Sequence, residues 1–219
     1  MTTFPNSPRL LRGGLVLLDP GTGQVKRVIA LQYNPDTLTR TLQPQAVQGD
    51  AKDRSQALRL VGPPVETIKL DAEIDATDQL EVPDRNPNAV RLGIGPQIAV
   101  LETLLYPESG QLIANHALQS IGTLEITPIE SPLVLFVWSS QRVVPVRLTD
   151  FSVTEEAFDP ALNPIRAKVS LSLRVLSVDD LGFEHKGGAL YMVYHVNKER
   201  LAQTAPGAAL PALGLTGIP

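Results

Sequence analysis

The side chains best suited to chemistry in this sequence are a run of carboxylates. The densest acidic group comprises Asp71, Glu73, Asp75, Asp78 and Glu81. Paired carboxylates can bind a divalent cation or exchange protons with a substrate. Asp71, Glu73 and Asp75, however, stand two residues apart, which is the spacing that places side chains on one face of a β-strand. We therefore expect a solvated or partner-facing polar row rather than a metal site.

Histidine is the other side chain that could bind a metal or move protons, and the chain has three. His116, His185 and His195 stand at no metal-ligand spacing, so we expect surface or partly buried imidazoles. The chain has no cysteine, which excludes thiol catalysis, thiolate metal sites and a disulfide framework. No G-x-S-x-G elbow is present, and Gly93 and Gly95 lack the third glycine of a phosphate-binding loop. The sequence predicts no enzyme, no catalytic residue, no cofactor and no metal.

Length, charge and hydropathy narrow the range of partners. With 219 residues the chain can form one large domain or two small ones. Its net charge is −4 and it has no run of Lys or Arg, so a nucleic-acid groove is not expected. No segment approaches the ~20 apolar residues that span a bilayer. The first residues also lack the apolar stretch of a secretory signal. We expect synthesis and assembly in the cytoplasm, without membrane insertion.

The elements that must position these residues are mostly β-strands. Residues 132–177 predict three successive strands, with a hairpin turn at residues 138–141. In the last of these strands apolar and polar side chains alternate strictly, which places one row on a core. Residues 65–76 show the same alternation, and residues 14–18 and 24–33 predict another hairpin. We expect one core to contain Ile68, Leu70, Ile74, Val169, Leu171 and Leu173.

Between these strands the pattern is less regular. Residues 38–42 predict a strand, and residues 43–59 predict a long polar excursion, which in a compact domain is usually functional or disordered. The Gly95-Pro96 step predicts the start of a helix, since proline suits the first helical position. Pro107 predicts its end.

The C-terminal third is more ambiguous. Residues 111–122 favour no element, and residues 123–126 predict a short strand. Residues 178–188 predict a loop. Residues 189–202 predict a helix, although residues 191–194 are equally typical of a strand.

Three features are candidates for contact with other subunits. Trp138 lies near the predicted hairpin tip, where tryptophan serves an interface or a core equally well. The polar excursion carries a mixture of charges. The uncharged tail, residues 204–219, is either a disordered end or a peptide that docks on an assembly partner, and its composition favours disorder in the isolated protein. The interface candidates are Asp50, Lys52, Asp53, Arg54, Trp138, Leu210, Leu213 and Leu215.

Three phrases of the sequence together resemble one family. They are QYNPDTLTRTL (residues 32–42), ALRLVGPPVETIKLDAEIDAT (residues 57–77) and PLVLFVWSSQRVVPVRLTDFSVTEEAFDPALNPIRAKVSLSLRVL (residues 132–176). Their order and spacing are similar to those of tube and baseplate-collar proteins of contractile injection systems, which are phage-tail-like particles. The resemblance extends from about Leu15 to Val178, which is most of the chain.

This resemblance implies a fold and a set of partners. The fold would be mainly β, with two packed antiparallel sheets forming a tube-protein-like barrel over residues 1–178 and one flanking helix. A C-terminal extension, residues 179–219, would follow with a short helix and a flexible tail. Such proteins form a homo-oligomeric, hexameric ring between a trimeric spike-hub protein and the inner tube protein, in contact with other baseplate subunits. The particle would be cytoplasmic or released.

The resemblance also leaves alternatives open. Many relatives carry a C-terminal LysM module, but residues 178–219 are too short for one and show no LysM pattern, so the role can be tube subunit or baseplate collar. A carbohydrate- or peptidoglycan-binding module is a second candidate function. It needs exposed aromatic side chains along a groove, whereas the ten aromatic residues of this chain are scattered. A hydrolase on a β scaffold is the least favoured function, because no catalytic constellation is visible.

Overall fold

The computed structural model of the protein describes residues 11–46, 59–120 and 131–218. These residues form seven strands in one sheet, in the spatial order β2-β1-β5-β6-β7-β4-β3. Every neighbouring pair of strands is antiparallel. The strands are β1 (Gly14–Leu18), β2 (Val25–Ala30), β3 (Leu38–Ala46), β4 (Leu60–Asp75), β5 (Leu133–Ser139), β6 (Arg142–Phe158) and β7 (Pro164–Val175).

Helices lie between β4 and β5 and after β7. The first group begins directly after β4, and its third helix starts at the Gly95-Pro96 step as predicted. The helices are α1 (Thr77–Leu80), α2 (Pro87–Leu92), α3 (Gly95–Glu102), α4 (Ser109–Ser120), α5 (Val178–Leu181) and α6 (Lys186–Thr204). Two short 3₁₀ turns cover Pro83–Arg85 and Leu210–Leu213.

The prediction of a mainly β fold is confirmed, but its architecture is corrected. The described strands form one sheet, not two packed sheets, because the β1–β2 hairpin extends the edge of β5. The edge strands β2 and β3 do not pair with each other, so in the described residues backbone pairing does not close the sheet into a barrel. Six helices are described instead of one flanking helix.

The main core lies on one face of this sheet, and the predicted core row is confirmed. Val169, Leu171 and Leu173 of β7 are buried together with Ile68 and Leu70 of β4. Leu70 stands directly opposite Leu171, and Ile68 opposite Leu173. Ile74 packs partly buried against the same cluster, which β1, β5, β6, α3 and α6 complete.

The sheet curls until its two ends approach each other, and Gln32 bridges them. Its side-chain Nε2 donates to the Asp75 carbonyl oxygen at 2.7 Å, and its Oε1 accepts from the Asp75 backbone N–H at 3.0 Å. Gln32 follows β2, which is five strand positions from β4, or about 24 Å away if the sheet were flat. The Gln32 amide therefore makes the two hydrogen bonds that a neighbouring strand would make to Asp75. It does so beyond Leu70, where β3 no longer pairs with β4.

A second amide in the same QYNP phrase makes an equivalent contact. The Asn34 side chain accepts from the Gly13 backbone N–H at 2.8 Å and donates to the Leu11 carbonyl oxygen at 2.7 Å. Because Gln32 and Asn34 each satisfy two backbone groups, this phrase holds the segment between β2 and β3 against β4 and against the residues that precede β1.

We expect Gln32→Leu to lower the free energy of unfolding by about 1–3 kcal/mol, because the Asp75 N–H and C=O lose their partner. Urea unfolding followed by circular dichroism measures this difference. Gln24→Leu is the matched control, since Gln24 is exposed and its side chain makes none of these bonds. Equal stability of the two variants would show that the Gln32 bridge does not stabilise the curled sheet.

The hairpin between β6 and β7 is long. Strand β6 continues to Phe158, because β7 pairs with it along that length. At the tip, Asp159 Oδ1 accepts from the backbone N–H groups of Ala161 and Asn163, each at 2.8 Å. Hydrogen bonds from the Asn163 side chain and backbone hold the pKa of Asp159 below its usual value.

Tertiary contacts resolve the ambiguity after β7. Residues 191–194 belong to the helix α6, and Tyr191 and Tyr194 are both buried in the main core. His185 caps the start of this helix, where its Nδ1 accepts from the Gly187 N–H at 3.0 Å. The loop predicted for residues 178–188 is corrected at both ends. Ser177 and Asp180 form a capping box that begins α5, and α6 already begins at Lys186.

Candidate functional site

The most concentrated group of polar side chains in the described core surrounds Glu66. This residue lies on the inward row of β4, two positions before Ile68, and only 2% of its surface is exposed. Arg40 of β3 stands opposite Ile68 and therefore shares that face. Its Nε donates to Glu66 Oε1 at 2.8 Å. A buried carboxylate is stable only with such partners.

Helix α6 supplies two more partners from far along the chain. The Tyr194 hydroxyl donates to Glu66 Oε1 at 2.9 Å, and Lys198 Nζ donates to Glu66 Oε2 at 2.8 Å. Arg40 Nη2 also donates to the Tyr194 hydroxyl at 3.0 Å. The Lys198 ammonium lies 4.0 Å from the centre of the Tyr194 ring, a cation–π contact. We call these four residues the Glu66 cluster.

The electrostatics of the Glu66 cluster favour one protonation state. Burial acts to raise the pKa of Glu66, but the hydrogen bond and charge of Lys198, with the hydrogen bonds of Arg40 and Tyr194, hold that pKa below its usual value. Burial and the negative charge of Glu66 raise the pKa of the Tyr194 hydroxyl. Glu66 is therefore ionised and Tyr194 protonated at neutral pH, so each carries the charge that its hydrogen bonds require.

This cluster joins α6 to the β3–β4 edge of the sheet. Both carboxylate oxygens of Glu66 accept hydrogen bonds from donors within the chain, and the residue is only 2% exposed. Sequence reasoning missed it. The available signal was parity: Glu66 has the same parity as Ile68 and Leu70, so a charged residue falls in an apolar row.

The acidic row of β4 has partners across the strand. Asp71 accepts from the Ser170 hydroxyl at 2.5 Å, and Asp75 accepts from Arg166 Nε at 2.8 Å. Glu73 stands opposite Lys168. No group of three His, Asp or Glu residues in the described parts of the chain is placed to hold a metal ion. The row is a set of cross-strand pairs on the exposed face of the sheet.

Gly93, which precedes α3, has a packing role. Gly93 adopts a φ of +56°, and a Cβ there would lie 2.0 Å from the Pro164 carbonyl oxygen. The next residue, Ile94, donates its backbone N–H to the same oxygen at 2.8 Å. Glycine at position 93 therefore lets the helical segment approach the start of β7.

Four of the predicted interface residues lie in the described parts of the chain. Trp138 is half-buried, and its ring stacks on Phe136 with centroids 6.0 Å apart. Leu210 and Leu213 bound the 3₁₀ turn after α6, and Leu215 follows it. These three leucines are exposed. The remaining candidates, Asp50, Lys52, Asp53 and Arg54, lie outside the described residues, as does the predicted strand at 123–126.

Several strand edges are open among the described residues, including the outer edge of β3 at one end of the sheet. β5 pairs with β6 only as far as Val146, so no described strand covers that side of β6 from Leu148 to Phe158. The outer edge of β2 is likewise without a described strand, and Val25 and Val28 on it are exposed. Unpaired edges of this length are ready to pair with another chain.

The described residues thus define a mainly β protein with an internal polar cluster, open strand edges and exposed apolar side chains. No described helix is both long enough and apolar enough to cross a membrane. No family model and no curated protein matches the sequence.

Two solved structures are similar to this chain at low superposition scores. One is a chain of the "Tail of empty GTA particle computed with helical refinement, C6 symmetry", 12% identical, with 74% of this chain and 90% of that chain covered and a TM-score of 0.29. The other is from the "Virion of native gene transfer agent (GTA) particle", 10% identical, with 74% and 95% covered and a TM-score of 0.27.

Proposed function

We propose that this chain is a structural, non-enzymatic subunit of a phage-tail-like contractile injection particle. Copies of it form a ring, hexameric in the resembled family, that joins the spike hub to the inner tube. Its partners are further copies of the chain, the trimeric spike-hub protein and the inner tube protein. The particle is assembled in the cytoplasm.

One observation carries this proposal. The three phrases that resemble the family are separate in the sequence, but their strands are consecutive neighbours in the sheet. The third phrase contains β5, β6 and β7, the second contains all of β4, and the first leads into β3. If the similarity of these short phrases were due to chance, we would not expect them to cover five neighbouring strands of one sheet.

The open edges support an assembly role. A ring subunit must offer backbone groups or side chains to the next copy, and the β6 edge from Leu148 to Phe158 offers both where no described strand covers it. The Glu66 cluster also supports a non-enzymatic role. Its buried carboxylate holds α6 on the sheet, which is a structural function.

Electron microscopy of particles assembled with and without this gene product tests the function. We expect no complete particles in its absence, and recovery when the wild-type chain is supplied. A chain that cannot fold, such as Leu171→Asp, serves as the negative control. Intact, spike-bearing particles in the absence of the chain would overturn the proposed function.

The polar excursion provides a second test of assembly. Ala46 and Leu60 stand directly opposite each other in the β3–β4 pair, so a two-residue Asn-Gly turn can replace residues 47–59 without moving either strand. We expect this shortened chain to keep its melting temperature but to block ring stacking. We expect stacking to fail because the shortened chain loses a contact with a neighbouring subunit.

The matched control keeps the full length of the excursion and replaces Asp50, Lys52, Asp53 and Arg54 with alanine. Failure of the shortened chain alone would assign the contact to the length of the excursion, and failure of both would assign it to the four charges. Normal particles from the shortened chain would exclude a role for the excursion in assembly.

A further inference from the structure

An apolar groove lies between β2 and α3, and no described residue of the chain fills it. Its volume is about 460 Å³, and its apolar walls include Val28 and Leu31 on one side, Ile74 from β4, and Val100 and Leu101 of α3. Val28 is 64% exposed. The two charged residues that line the groove, Arg27 and Glu73, have opposite signs. An open apolar groove with no net charge fits a neutral, apolar ligand.

The same chain displays a segment with that chemistry. Residues 205–218, after α6, contain no charged side chain. Leu213 is 72% exposed and Ile218 73%. Because side chains three positions apart lie on one side of a 3₁₀ turn, Leu210 and Leu213 form a single apolar edge. Gly214 ends this turn with a φ of +72°.

Groove and segment are both open in one chain, so the segment does not fill the groove of its own molecule. Each is an exposed apolar surface of the kind that marks an interaction site. Contact with a second copy of the chain would bury both surfaces, since the segment of one copy can place its leucines in the groove of the next.

We propose that residues 205–218 of one copy dock in the β2–α3 groove of a second copy. Each chain then contributes one segment and one groove, so the contact is head-to-tail and either closes a ring or extends a filament. This inference deepens the proposed function, because it identifies one contact by which a ring subunit binds its neighbour.

Cysteine cross-linking tests the contact directly, because the natural chain has no cysteine. Full-length Val28→Cys is mixed with full-length Leu213→Cys, which carries a mass tag, under mild oxidation. We expect the mixed disulfide dimer. The matched control pairs Leu213→Cys with Val25→Cys, which lies on the same strand, is equally exposed and does not line the groove. The control should react poorly, because Val25 is about 10 Å along the strand from Val28, beyond the reach of a disulfide.

A second measurement needs no cross-link. Val28→Asp and Leu213→Asp should each weaken self-association in sedimentation velocity by about tenfold or more, because each places a charge in an apolar contact. Ile113→Asp, at an exposed position on α4, is the control. A mixture of the two groove and segment variants retains one intact groove and one intact segment, so it should form pairs but no larger assembly.

The remaining outcomes overturn the proposal. Disulfide dimers of Val28→Cys alone would mean that two grooves face each other. An intrachain disulfide in the double variant Val28→Cys/Leu213→Cys would mean that the segment folds back on its own chain. The absence of any mixed dimer would mean that something other than a second copy occupies the groove. If particles nevertheless require the chain, only this contact fails and the proposed function stands.

Discussion

Leu171→Asp is expected to abolish cooperative folding of the chain. Leu171 is 3% exposed on β7, between Leu70 of β4 and Phe151 of β6. An aspartate there has no cation or donor among these neighbours, so its charge must be buried unpaired or the strand must detach. Either change costs about 4–6 kcal/mol, which is comparable to the whole stability of many domains.

Thermal and urea unfolding followed by circular dichroism measure this effect. Leu171→Met is the conservative control and should cost less than about 1.5 kcal/mol, because it nearly preserves side-chain volume. Thr154→Asp is the control for charge on the same sheet, since Thr154 is exposed and stands opposite Lys168. It should change stability by no more than about 0.5 kcal/mol. A soluble Leu171→Asp chain with the wild-type melting temperature would show that this row does not face the core.

Glu66→Gln is the substitution with the second large expected effect. It should lower the free energy of unfolding by about 2–4 kcal/mol at neutral pH. The substitution keeps the side-chain shape but removes the negative charge that Arg40 and Lys198 share. Those two side chains retain 27% and 32% of their exposure, so water relieves part of the cost. Glu73→Gln is the matched control, because Glu73 is exposed on the same strand and stands opposite Lys168 of β7.

The pH dependence provides an independent check on the Glu66 cluster. The folded-state pKa of Glu66 lies below its ordinary value of 4.5, so folding favours the ionised form. Its stabilisation is fully present above pH 4.5 and is lost as the pH falls through the lower, folded-state pKa. The stability difference between wild type and Glu66→Gln should therefore shrink on acidification. A difference that stays constant down to pH 3, about one and a half units below the ordinary value, would mean that the Glu66 charge does not stabilise the fold.

Much of the strand content could be predicted because its signal is local. The alternation in β7 and in the second half of β4 depends only on which side of a strand each residue occupies. Turn residues between two apolar runs likewise predicted the β1–β2 and β5–β6 hairpins. The acidic row of β4 was predicted as a polar face for the same reason, and it lies opposite the polar row of β7.

Predictions were wrong or left open where contacts with a distant segment of the chain determine the local structure. Residues 43–46 looked like the start of a polar loop, yet they continue β3 because β4 pairs with them. Residues 191–194 were equally typical of helix and strand, and the burial of Tyr191 and Tyr194 in the sheet core accompanies the helix. The implied two-sheet barrel depended on where the β1–β2 hairpin docks, which no local pattern records.

By itself the sequence determined the β-rich class, the main apolar row and the absence of cysteine chemistry, because these follow from composition and from spacing of two residues. The tertiary structure alone decided the single curled sheet, the Gln32 bridge and the Glu66 cluster. Gln32 and Asp75 are 43 residues apart, and Glu66 and Tyr194 are 128 apart. Contacts at such separations arise from the path of the whole chain, since the cost of closing a long loop depends only weakly on its length and singles out no partner.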